Sequence, residues 1–291
     1  MSTAAEVASR PDITPPDLSG VGAVRAPLVR LLRSELRWVL RRPRTQIALG
    51  LLGLVPVLIG IGIVVADSPG GPPLFRQVAG NGLVLPIAAL SVSLALLLPL
   101  VVAMAAADAL AGESAHGTLR GLLLAPVSRT RLVLVKTVGV LAVATAAVTV
   151  VVVLGVLTGM VLVGGGDLLT LSGTEVSFGS GLARVALAAA WTVGQLAAVG
   201  AVALAVSSFT DHPLVVLAAT LGGAIVFGVL YAIPALDWLH PVLLTTGWIA
   251  LADVLRDPLP LDGLASSTYR AACYLALGLA ITLYRTTTRE A

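Results

Sequence analysis

Between two long apolar runs lies a polar stretch, residues 108–136, that reads DALAGESAHGTLRGLLLAPVSRTRLVLVK. It holds two carboxylates (Asp108, Glu113), one histidine (His116) and four cations (Arg120, Arg129, Arg131, Lys136). Their spacing suits no catalysis. No G-x-x-x-x-G-K-[ST] loop occurs, and Lys136 follows Leu-Val rather than a run of glycines, so no phosphate is cradled here. The pattern suits recognition instead. Gly112-Glu113 closes one helix, Gly117-Thr118 breaks the chain, and Thr118 can cap a second helix. That second helix, residues 119–124, is short, with Leu119, Leu122 and Leu123 apolar, and Pro126 stops it. Ser128 can cap the next helix, which carries Arg129, Arg131 and Lys136 upward. A short apolar helix rimmed by charge is an exposed patch that needs a partner.

The elements that must position this stretch are set by composition. Of 291 residues 57% are hydrophobic and 11% charged, where a soluble domain is about a quarter charged. With a mean hydropathy of +1.00, lipid has to be the solvent for most of the chain. The fold class expected is therefore an all-α integral membrane protein. Six apolar runs, 46–66, 83–107, 137–162, 185–207, 214–233 and 268–284, are each read as a transmembrane helix. The last is the weakest, with Arg270 near its start. The first is too long for a signal-peptide core and reads as a retained anchor. Residues 234–267 are semi-apolar and broken by Pro241, Pro258 and Pro260. A helix over 243–255 is too short to cross, so this part is expected to be re-entrant or interfacial.

Residues 1–25 have the composition of a disordered tail. Residues 26–44 differ. On a helical wheel Leu28, Val29, Leu32, Leu36, Val39 and Leu40 share one arc, with Arg30, Arg33, Ser34, Arg37 and Arg41 opposite, which describes an amphipathic helix lying in the headgroup layer. Residues 45–291 form the six-helix domain. The cations are seventeen arginines and one lysine. Fourteen fall in the N-terminal segment, the 108–136 stretch and the tail, against four (Arg76, Arg184, Arg256, Arg270) in the alternate connections. The excess marks the cytoplasmic side, so both termini are expected there. The four outer arginines have the reach to snorkel to headgroups or to meet an anionic group on exit. The basic residues adjoin no aromatic platform, which excludes nucleic acid as a partner.

The motif Asp108, Gly112-Glu113, Gly117-Thr118-Leu119, Leu122-Leu123, Pro126-Val127-Ser128-Arg129 and Lys136 resembles that of the ABC-2 type permeases. The surrounding plan resembles theirs over nearly the whole chain. The resemblance implies that residues 119–124 are a cytoplasmic coupling helix docking into a separate ATPase subunit, with Glu113, Thr118, Leu119, Leu122, Leu123 and Arg129 at the contact. It also implies a complex of two permeases, identical or paralogous, with two ABC ATPase subunits in the cell membrane. ATP and Mg would then be bound by the partner, and this chain would hold no cofactor and no metal and would not itself be an enzyme.

Two other classes compete. An ion-coupled carrier calls for carboxylates or histidines at membrane depth, and an intramembrane enzyme calls for paired carboxylates, a His–Glu metal motif or a Ser–His pair there. The apolar runs hold none of these. Their notable polar groups are Ser91, Ser93, Trp191, Thr192 and Gln195. Gln195 has the chemistry to line a pathway or, as the preferred reading, to bond a neighbouring helix. Gly194, Ala198, Gly222 and Gly223 are expected to let helices approach closely. Cys273 has no second cysteine to pair with and reads as an inert packing residue. The charge asymmetry predicts that reporter fusions at either terminus read as cytoplasmic; an external reading at either end overturns that topology.

Overall fold

Lipid offers a backbone amide no partner, so an apolar chain satisfies its backbone within helices. The structure is a computed structural model and describes residues 28–65, 78, 80–112 and 128–288. Helices α1 (Leu28–Arg41) and α2 (Pro43–Val65) come first, followed by a 3-10 turn, Gly82–Val84. Then come α3 (Leu85–Ala95), α4 (Leu97–Ala109) and α5 (Arg129–Leu162). A small antiparallel hairpin, β1 (Leu168–Leu169) with β2 (Glu175–Val176), pairs Leu168 with Val176 and precedes α6 (Phe178–Ser207). Helix α7 (Pro213–Tyr231) is followed by two 3-10 stretches, Pro234–Leu239 and Leu244–Leu255, and by α8 (Leu261–Thr288). The expected disordered tail, the coupling helix over 119–124 and most of the loop after the first apolar run lie outside the described residues.

Six crossings were expected. Among the described residues four helices, α2, α5, α6 and α7, are long and apolar enough to cross a membrane, and the count becomes five if α3 and α4 form one crossing. Those two are bent by 55° at Leu96, which has φ −150° and ψ −45°. The cause is Pro99. It has no N–H to offer the carbonyl of Ala95, and its ring crowds that oxygen, so the break falls just upstream of the proline. Helix α8 is 28 residues long but does not qualify. Asp262, Ser266, Ser267, Thr268 and Arg270 make its first third polar, and Thr286, Thr287 and Thr288 its end. It begins seven residues before the expected 268 because its polar start has a partner. The Trp191 indole donates to the Leu264 carbonyl at 3.4 Å and to Ser267 Oγ at 3.3 Å, tying α8 to α6.

The amphipathic helix was expected over 26–44 and is found as α1, followed after Arg42 by α2. Ser128 caps α5, its hydroxyl accepting from the Arg131 amide at 3.4 Å. Pro213 sits in the first turn of α7, where a missing N–H is harmless. The core lies where α3, α4, α5 and α6 meet. Eight of the eleven residues of α3 are buried, so it is the central element. Helix α7 buries only Val216 and Thr220 and is peripheral.

Small residues set the closest contacts. A Cβ on Gly278 of α8 would lie 2.6 Å from the carbonyl carbon of Ala201 in α6. Gly82 and Gly159 face each other backbone to backbone, so a Cβ on either would strike the other's carbonyl. By contrast Gly194, Gly222 and Gly223, expected at helix contacts, have open space at the Cβ position. Gly159→Ala should therefore destabilise the protein by about 1–3 kcal/mol, as overpacking does. Gly62→Ala, where nothing lies within 4 Å, should leave the unfolding temperature in detergent unchanged or raise it. Equal effects at the two sites would overturn this packing.

Candidate coupling site

One end of the bundle gathers the charges that border residues 113–127. Lys136 sits on the third turn of α5 and is 3% exposed. Its ammonium meets Glu35 Oε1 of α1 at 3.0 Å. One turn further along α1 the Trp38 ring lies 5.5 Å from that ammonium and 3.4 Å from the Arg42 guanidinium, each measured to the ring centroid. Arg42 in turn meets Asp108 Oδ2 of α4 at 2.8 Å. These pairs hold α1 against α5 and the junction of α1 and α2 against α4. The space left among them is about 10 Å³, room for one water at most, so this is a joint between helices and not a ligand cavity. The outward face of α1 is different. Arg30, Arg33, Arg37 and Arg41 border an open depression of about 800 Å³ beside Trp38, a surface suited to phosphate headgroups.

The two ends that flank residues 113–127 are fastened from other helices as well. On the upstream side the amide of Ala111 donates to Ser207 Oγ at the end of α6, at 3.0 Å. On the downstream side Arg129 donates to the carbonyls of Thr286 (3.1 Å) and Thr287 (2.9 Å). A guanidinium there meets unsatisfied carbonyls and the negative end of the α8 dipole. The Arg285 guanidinium lies 5.2 Å from the ring of Phe209, in the turn between α6 and α7.

Of the residues singled out in the sequence, Glu113, Thr118, Leu119, Leu122 and Leu123 lie outside the described residues, as does His116. Arg129 is described and holds the end of α8. Glu35, Trp38 and Arg42 were missed. The signal for Glu35 was present: it falls at helical spacing in line with Leu28, Leu32 and Val39, on the apolar arc of α1, where a lone carboxylate calls for a cation. The matching cation, the chain's single lysine, stands among valines and leucines at the foot of α5.

The opposite end corrects one expectation. Arg184 does not reach outward. It donates to the carbonyls of Val254 (3.2 Å) and Arg256 (2.6 Å) and pairs with Asp257 Oδ1 at 2.7 Å. Arg270 likewise donates to the carbonyls of His240 (3.2 Å) and Leu243 (2.5 Å) and to the Thr246 hydroxyl. Both serve the 3-10 stretches between α7 and α8. Gln195, for which an interhelical bond was the preferred reading, is buried at 1% exposure, and its Oε1 has no partner among the described residues.

A family model described as ABC-2 family transporter protein matches residues 29–247, and the chain belongs to that family. No curated protein matches the chain. The matched region begins within α1 and so takes in the joint between α1, α4 and α5.

The joint predicts a sign pattern in stability. Lys136→Met should cost about 3 kcal/mol, because it strands the Glu35 carboxylate away from water. Adding Glu35→Gln should recover most of that loss, since two neutral groups need no counter-charge. Thermal unfolding of the purified chain in detergent reads both. A double variant no more stable than Lys136→Met alone would show that the pair is not the source.

Proposed function

We propose that this chain is the permease subunit of an ATP-driven exporter, and that a separate ABC ATPase docks on residues 113–127. The observation that carries this reading is the fastening of the chain on both sides of that segment. Before it, Asp108 is tied to Arg42, between α1 and α2, and Ala111 to Ser207 of α6. After it, Lys136 is tied to Glu35 of α1 and Arg129 to the end of α8. A push on such a segment is delivered to α1, α4, α5, α6 and α8 together. In this reading Thr118 caps the short helix, Leu119, Leu122 and Leu123 enter a groove of the ATPase, and Glu113 pairs with a cation there. ATP and Mg stay on the partner.

The same reading takes α3 and α4 as one bent crossing and α8 as the sixth, with both termini in the cytoplasm and α1 in the headgroup layer of the cell membrane. Two permeases and two ATPases make the working unit. The cargo is apolar or amphipathic, because apolar walls solvate such a molecule and not a bare charge.

The test is co-purification followed by transport. Leu122→Asp with Leu123→Asp places two charges in a dry groove at a cost of several kcal/mol. The variant should insert normally and lose its ATPase in pull-downs. Export from vesicles holding both subunits should survive a protonophore and stop when the phosphate-loop lysine of the ATPase is removed. Unchanged pull-down by the double variant would overturn the docking assignment, and export that needs the proton gradient but no ATP would overturn the mechanism.

A further inference from the structure

Trp248 stands in the 3-10 stretch Leu244–Leu255, and its indole Nε1 is buried with no hydrogen-bond partner among the described residues. The hydroxyl of Thr245, three residues before it, is in the same position. Both residues border one cavity of about 90 Å³. The bundle has another buried indole, Trp191, and that one finds two acceptors, so an orphaned indole is not the habit of this fold. Buried donors are almost always satisfied, and leaving one unmet is costly. Two unmet groups on one cavity point to an occupant.

Water is a poor occupant. The volume would admit about three waters at liquid density, and each needs two to four polar partners. The remaining walls are mainly apolar, with Val199 and Val202 of α6, Gly223 and Phe227 of α7, and Leu244, and the two other hydroxyls on the lining, Thr220 and Tyr274, already donate to the carbonyls of Val216 and Val242. Trp248 only donates, while the Thr245 hydroxyl donates or accepts. The complementary molecule is therefore apolar with a single acceptor oxygen.

The way in is lateral. Helix α7 is the least buried of the four helices that qualify as crossings. It meets α8 in an edge-to-face pair of Phe227 and Tyr274, ring centroids 6.4 Å apart. The Tyr274 hydroxyl donates to the Val242 carbonyl at 3.0 Å, which holds that ring over the cavity's rim. These two rings close the cavity on the side of its least buried crossing helix, the side on which lipid has the readiest access. The volume is below the roughly 300 Å³ at which pockets enclose a drug-sized ligand, so the site takes the end of a molecule whose remainder stays in lipid.

We infer that the cleft between α6, α7, α8 and Leu244–Leu255 is a lateral binding site for an amphipathic molecule that presents an apolar chain or ring and one carbonyl or ether oxygen to Trp248. That this molecule is cargo rests on the permease reading; that it binds does not.

The experiment uses the full chain in lipid nanodiscs and two photoreactive probes of equal length, a diazirine-bearing alkyl methyl ester and the matching alkane. Labelled peptides are mapped by mass spectrometry. The ester should label the Leu244–Leu255 peptide about five-fold more than the alkane, the worth of one hydrogen bond. Trp248→Phe keeps an aromatic ring, a smaller one, and removes the donor, so it should make the two probes equal while the chain still folds. Gly223→Leu grows a side chain where no atom lies within 4 Å and should suppress both probes. Gly222→Leu, equally open but not lining the cavity, should change neither. Equal labelling by ester and alkane in the wild type, or labelling spread along α7 and indifferent to Gly223→Leu, would overturn the site. If Gly223→Leu does not fold, Trp248→Phe decides alone, because the indole N–H has no partner to lose among the described residues. The labelling needs neither ATP nor an ATPase. Its failure leaves the docking assignment standing, and a failed pull-down leaves the labelling result standing.

Discussion

Lys136 is the chain's single lysine, and it is buried at the foot of a 34-residue helix. An ammonium out of water is tolerated only when paired. Among the described residues Glu35 reaches it at 3.0 Å, which holds α1 against α5. Gly139 permits the approach, since a Cβ there would sit 3.3 Å from Glu35 Cγ. With α1 held in that register, Trp38 faces the same joint and Arg42 reaches Asp108. Such pairs add little net stability compared with a well-packed apolar contact, because desolvation offsets most of the attraction. Their effect is to fix position. An amphipathic helix becomes part of the bundle, in one orientation, next to the residues that flank 113–127.

The other end solves a different problem with the same residue type. Between α7 and α8 the chain runs through two 3-10 stretches and irregular turns, whose carbonyls are not all used within the backbone. Non-helical backbone at membrane depth needs partners from the protein. Arg184 and Arg270 supply them, each offering several donors in a rigid fork. The hairpin joins in: the Leu171 amide donates to the Leu255 carbonyl at 2.8 Å, and Thr174 Oγ1 donates to Asp257 Oδ2 at 3.2 Å. These arginines were read as outward-facing because a charge near the end of an apolar run is ordinarily a surface anchor. The sequence does not show that a neighbouring segment will arrive short of hydrogen-bond donors.

The legible and the hidden features divide along the same line. Apolar length and periodicity mark α2, α5, α6 and α7, the basic wheel of α1, the Ser128 cap and the non-crossing character of 243–255. Each of these is local. The bend at Leu96 was hidden although Pro99 was in plain view, because hydropathy averages over a proline while the lost bond belongs to a residue four positions earlier. The early start of α8 was hidden because Ser267 is stabilised by Trp191, 76 residues away. Glu35 was legible as an anomaly on an apolar arc, but naming Lys136 as its partner requires the fold. For Arg129 the motif suggested a contact with another subunit, and the fold supplies one within the chain, at the end of α8.

That last contact bears on how the two ends communicate. Arg129 begins α5 directly after the segment 113–127 and holds the carbonyls of Thr286 and Thr287. Tyr274, at the rim of the Trp248 cavity, lies twelve residues earlier on the same helix, about 18 Å away at 1.5 Å per residue. Helix α6 runs parallel to this route: Ser207 holds Ala111 at one end, and Val199 lines the cavity further up. The two helices are locked to each other at Gly278 and Ala201, where backbone meets backbone with no space for a side chain between them. Close packing of this kind transmits displacement because it resists compression. Helix α7, by contrast, is lightly buried and closes the cavity with one ring. The cavity thus has a stiff pair of helices on one side and a lightly buried one on the other, so α7 is the wall that would yield to a displacement carried by α6 and α8.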